Sequence, residues 1–95
     1  MTGSLQTTNV IQTILDAPHI RDSLSGLGWK LDRCSETIVL AQKIDQTGRE
    51  FSAFLSWQPY NVQTIINLRV LETTSREGQL DCERLASEIL QTLGQ

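Results

Sequence analysis

Four carboxylates, Asp32, Glu36, Asp45 and Glu50, fall within a short span of the chain. Two of them meeting across neighbouring strands would be the pairing that general acid–base chemistry needs. The commoner use of such residues is to charge a sheet edge and keep it from pairing with another sheet. Other reactive groups are sparse. The one histidine, His19, directly follows Pro18, where a helix is expected to start, and no partner stands at metal-ligand spacing from it. Cys34 and Cys82 lie far apart and form no CxxC pair. That usage fits two reduced thiols in a cytoplasmic protein, although spacing alone does not decide whether they pair. Gly26-Leu27-Gly28-Trp29 runs from helix to strand, the reverse of a phosphate loop, and reads as a chain reversal. No P-loop, GxSxG, HExxH or GxGxxG motif occurs. The expectation is a non-catalytic chain with no metal and no cofactor.

The aromatic residues raise a different possibility. Trp57 and Tyr60 flank Gln58-Pro59, and Trp29 follows the glycine pair. Their ordinary role is packing, with Pro59 fixing a turn. Trp29, Trp57 and Tyr60 could instead line an apolar pocket between sheet and helices, with Gln42 or Thr64 as polar contacts. That is the small-molecule-binding alternative.

At 95 residues the chain fits one domain, residues 1–95, with residues 1–7 as a frayed polar lead. Eight basic against eleven acidic residues give a net charge of −3, which offers no general attraction to phosphate backbones. Lys30 with Arg33, and Lys43 with Arg49, form no basic run, so nucleic acid is not an expected partner. No segment approaches the ~20 apolar residues of a membrane helix, and the polar start has no leader pattern. A cytoplasmic location follows as an expectation.

The elements that would position these residues can be read from periodicity. Thr8 or Asn9 can cap a helix that carries Val10, Ile11, Ile14 and Leu15 at helical spacing. Pro18 then either kinks it or stands in the first turn of a new short helix capped by Asp16, with Ile20, Leu24 and Leu27 as its stripe. From Trp29 the period becomes two. Residues 29–34 read as a weak strand. Residues 37–44 read as a stronger one, with Ile38, Leu40 and Ile44 on its core side and Val39 and Ala41 opposite. Asp45-Gln46-Thr47-Gly48 reads as a hairpin loop. Phe51, Ala53, Leu55 and Trp57 mark the next core row, and Val62, Thr64, Ile66, Leu68 and Val70 the last. Cys82, Leu85, Ala86, Ile89, Leu90 and Leu93 form a helical stripe ended by Gly94.

The predicted fold is α+β. A meander of three to four antiparallel strands carries an N-terminal and a C-terminal helix on one face. Two helices cover one face of a small sheet. The other face would then show Val39, Ala41, Phe54, Ile65 and Leu71 among polar residues, which is the composition of a protein interface. The leading expectation is a protein-interaction domain, adaptor or chaperone-like, that is homodimeric through this face. The order helix, meander, helix in a small acidic chain resembles secretion-chaperone-like domains, which work as dimers that hold partner segments. The likeness is one of element order, and it implies no particular site residues.

Overall fold

The computed structural model of the chain describes residues 4–46, 48–72 and 79–94. The elements are β1 (Ser4–Ile11), α1 (Ala17–Gly26), β2 (Lys30–Cys34), β3 (Ile38–Ile44), β4 (Glu50–Tyr60), β5 (Gln63–Glu72) and α2 (Gln79–Leu93). All five strands join one antiparallel sheet in the order β1-β5-β4-β3-β2. The α+β class and the meander hold, with one more strand than the largest number expected.

The added strand replaces the expected first helix. Residues 4–11, Ser-Leu-Gln-Thr-Thr-Asn-Val-Ile, pair along their whole length with β5, so Ser4 to Thr7 are not frayed. The helical spacing of Val10, Ile11, Ile14 and Leu15 is a weak signal over so short a stretch. Four β-branched residues in a row of eight resist a helix and suit a pleated surface. The long strand β5 also needs hydrogen-bond partners on its second side, and β1 supplies them. The chain therefore begins strand, helix, and the element order that resembled secretion chaperones is not the one adopted.

The connection into α1 is held by Thr64, a buried polar residue of β5. Its Oγ1 accepts from Leu15 N–H at 2.9 Å and donates to the Thr13 carbonyl at 2.7 Å. Asp16 then caps α1 by accepting from His19 N–H at 2.9 Å, and Pro18 sits in the first turn. Ile20 and Leu24, four apart, are fully buried. The helix ends in a Schellman arrangement: Trp29 N–H reaches the Leu24 carbonyl and Gly28 N–H the Ser25 carbonyl, both at 3.0 Å. Gly28 has φ +92°, which this closure requires and which a side chain would strain.

The β3–β4 hairpin corrects the face assignment of β3. A four-residue loop, Asp45 to Gly48, would set Ile44 opposite Arg49 and put Ile38, Leu40 and Ile44 on the same side as Phe51, Ala53 and Leu55. In the structure Ile44 pairs with Glu50, so five residues separate the strands. One residue of slip moves every side chain to the other face. Val39 now faces Leu55 and Ala41 faces Ala53, and both are fully buried. Ile38 and Leu40 turn outward, opposite Ser56 and Phe54. The extra residue is Arg49. Its N–H donates to Asp45 Oδ1 at 3.0 Å, and its side chain is drawn away to Glu72 and Asp81.

β4 and β5 are joined through Asn61-Val62, with Asn61 left-handed at φ +57°. Their long ladder sets Leu55 against Leu68, Ala53 against Val70 and Trp57 against Ile66. These residues and the buried residues of β3 share one cluster with Ile20 and Leu24 of α1 and with Cys82, Leu85, Ala86, Ile89 and Leu93 of α2. α2 lies against β5 and β1, and α1 against β2 and α2. The face that feeds this cluster is the core face; the opposite parity is the open face.

Candidate functional site

The open face is built by β4 at its centre with β3 and β5 on either side. Phe54 lies in the middle of it, opposite Leu40 on one neighbour and Arg69 on the other. Ser52 pairs with Leu71 beside them. These five side chains rim a shallow depression of about 250 Å3. Phe54 is 42% exposed although it is among the largest apolar residues of the chain. Ile38, Ile44, Val10 and Tyr60 are exposed on the same face. A mixed row of this kind, with an aromatic and an arginine at its centre, has the make-up of an interface core.

Charge distinguishes this face from the rest of the molecule. By strand register it carries Lys30, Arg33 and Arg69 against Glu50, with Asp32 in the bulge beside Arg33. The whole chain has eight basic and eleven acidic residues. The open face thus carries a small basic excess on an acidic protein. Arg69 stands between Gln6 and Phe54 and lines the depression beside Phe54.

Of the five residues expected on the uncovered face, Phe54, Ile65 and Leu71 are there, and Val39 and Ala41 are not. The last two are core residues for the reason of loop length given above. Leu40, Ile38 and Ile44 take their place on the open face. The signal that could have located them is the alternation of β4, read through a five-residue rather than a four-residue hairpin.

Trp29, Trp57 and Tyr60 do not converge. Trp57 is a core-face residue, 6% exposed, opposite Ile66, whereas Tyr60 lies on the open face opposite Gln63 and is 60% exposed. Trp29 is buried at the end of α1, with Lys43 Nζ 5.8 Å from its ring centre. The same ammonium donates to the Leu27 carbonyl at 2.8 Å, tying β3 to the end of α1. Gln42 points to the open face opposite Ser52, and both hydrogen bonds of the Thr64 hydroxyl go to the chain. A pocket between sheet and helices lined by all three aromatic residues has no geometric basis.

Four of the remaining polar residues, Arg49, Glu72, Asp81 and Arg84, form a network. Glu72 is buried at the end of β5 and receives Arg49 in two-pronged fashion, Nε to Oε1 and Nη2 to Oε2, both at 2.7 Å. Arg49 also pairs with Asp81 of α2, which pairs in turn with Arg84 at 3.5 Å. Hydrogen bonding to Glu72 raises the guanidinium above its ordinary range, partial burial opposes this, and Asp81 adds to the rise. Cys82 lies in the core beside this network. Burial pushes its thiol up and the Glu72 carboxylate adds to the shift. Asp45 shapes the hairpin through Arg49 N–H, Asp32 sits in the β2 bulge, and Glu36 lies at the opposite end of β3 from Asp45. His19 is exposed and contributes its backbone N–H to the cap. Cys34 is exposed on β2 and Cys82 buried on α2, both as free thiols. Among the described residues no helix is long and apolar enough to cross a membrane.

No protein-family model matches the chain, and no curated protein matches it in sequence.

Proposed function

We propose that the chain is a non-catalytic, cytoplasmic protein-interaction domain, adaptor- or chaperone-like, that receives a protein partner on its open face. The observation that carries this reading is the setting of Phe54. A half-exposed phenylalanine at the centre of a sheet face, flanked by Leu40, Leu71 and Arg69, is a ready anchor position.

The charge of the face favours a particular occupant. Two open faces brought together would oppose like net charge, which weakens self-association through this surface. A different chain that presents acidic residues around an apolar anchor fits better. Its acidic side chains would meet Arg69, Lys30 and Arg33 while the anchor enters the depression beside Phe54.

The experiment compares proteins captured from the native source by the wild type and by Phe54→Ser and Arg69→Glu. A bound protein that both variants lose, and that a wet-side α2 variant such as Glu83→Ala retains, supports the reading. Identical capture by all four removes it.

A further inference from the structure

The two edges of the sheet are unlike. β2 is five residues long, carries Lys30, Asp32 and Arg33, and is broken by a bulge between Leu31 and Arg33. Those are the usual devices that blunt an edge against pairing. β1 has none of them. It is eight residues long, pairs with β5 without a register shift, and has no charged residue and no proline. The first charged side chain of the whole chain is Asp16, beyond the strand. Its outer side offers a regular row of backbone donors and acceptors.

We infer that β1 is the self-association edge of this protein, pairing antiparallel with β1 of a second copy to make a continuous ten-stranded sheet. A two-fold axis normal to the sheet keeps both open faces on the same side, and it matches identical strands to one another. An uncharged strand is suited to this, because any charge on it would approach its own copy across the axis. The pattern of β1 also selects the register. Residues directly opposite each other share a face, so the axis must pass through a residue pair of matching parity. Leu5 and Ile11 are the two apolar residues of β1 on the core face, both half-buried against the cluster. An axis at Thr8 sets each Leu5 opposite the second copy's Ile11 and completes the burial of both. An axis at Thr7 would set Leu5 opposite Asn9 instead. The Thr8 register also brings the open faces of two copies into one extended surface. This inference stands on β1 and is independent of the open-face partner proposed above.

The test is the mass of the full-length chain in solution, by light scattering and sedimentation equilibrium at tens of micromolar. The wild type is expected to be a dimer. Thr8→Lys sets two ammonium groups against each other at the axis and is expected to give a monomer that still melts cooperatively, at a temperature lowered only by the lost association. Phe54→Ser is expected to remain a dimer. In a Cys34→Ser background, Thr8→Cys is expected to be joined into a covalent dimer by a short bis-maleimide. Gln6→Cys, whose equivalents stand four residues apart along the paired strands, is not. The Thr8→Cys result decides the register even where Thr8→Lys fails to fold. A monomeric wild type, a dimer that survives Thr8→Lys, or a dimer lost in Phe54→Ser overturns the inference.

Discussion

Arg49 grips the buried carboxylate of Glu72 with two parallel hydrogen bonds of 2.7 Å, and this pair fixes the length of the β3–β4 hairpin. With its side chain anchored on β5 and α2, Arg49 belongs to the loop and not to β4. The register that puts Val39 and Ala41 in the core depends on that placement. Arg49→Met leaves the buried Glu72 carboxyl without its guanidinium partner, which is a costly state. Thermal melts should show a clear drop for Arg49→Met and a smaller one for Glu72→Gln, which removes the charge but keeps the shape. Arg84→Ala, on the exposed end of the network, should melt close to the wild type. Equal melting of Arg49→Met and Arg84→Ala would mean that the pair does not hold the hairpin.

The register itself has a direct test. Val39→Asp buries a charge in the cluster and should abolish cooperative folding, whereas Ile38→Asp, on the open face, should leave a sharp melting transition. The four-residue hairpin would give the reverse order.

The C-terminal helix and the centre of the open face should separate in the same way. Ile89 is 1% exposed within the cluster, so Ile89→Ala should cost about 2–5 kcal/mol in a chemical denaturation experiment. That is a large part of the stability of a small domain. Phe54→Ser truncates a residue that is already 42% exposed and should change stability far less. If the two lose stability equally, Phe54 is a core residue and the open face is misassigned.

How far the sequence specified this fold depends on the strength of each local pattern. The alternation of Phe51, Ala53, Leu55 and Trp57, the even row from Thr64 to Val70, and the α2 stripe are each long enough for one period to dominate. All three occupy the positions their patterns indicate, except that Val62, read as the first residue of the β5 row, lies in the turn before the strand and is 76% exposed. The cap by Asp16 with Pro18 behind it was legible because few residues can do either job. β1 was not. Its core-face positions Thr7 and Asn9 are polar, so its alternation is faint, and its strand state is fixed by β5, some sixty residues away. β3 was misread by a single residue of loop length, since the bulkier row Ile38, Leu40 and Ile44 looks more core-like than Val39, Ala41 and Lys43. Of the candidate site, Phe54, Ile65 and Leu71 were readable from strands with clear periods. Leu40, and the role of Arg69 at the centre, needed the register across three strands.

Alkaline pH should act through Cys82. Its thiol is pushed up in the folded state, first by burial and then by Glu72, so the folded chain holds this proton more tightly than the unfolded one. The corresponding stability is fully present below the ordinary thiol value, near pH 8.5, and is lost as the pH rises from there through the folded value. The melting temperature of the wild type should therefore fall more steeply between pH 8 and 10 than that of Cys82→Ala. Parallel curves would show that the thiol is not linked to folding.

The central claim, that the open face is where this protein meets another, is tested most directly by comparing captured proteins before and after Phe54 is removed. Wild type and Phe54→Ser, both checked for a cooperative melt, are used to capture from the native source at low and at moderate salt, with quantitative mass spectrometry of what is bound. At least one acidic protein should be enriched by the wild type, reduced about tenfold or more by Phe54→Ser, equivalent to roughly 1.4 kcal/mol, and weakened by added salt as a basic face requires. The same set of proteins on wild type and variant, at both salt concentrations, would contradict it.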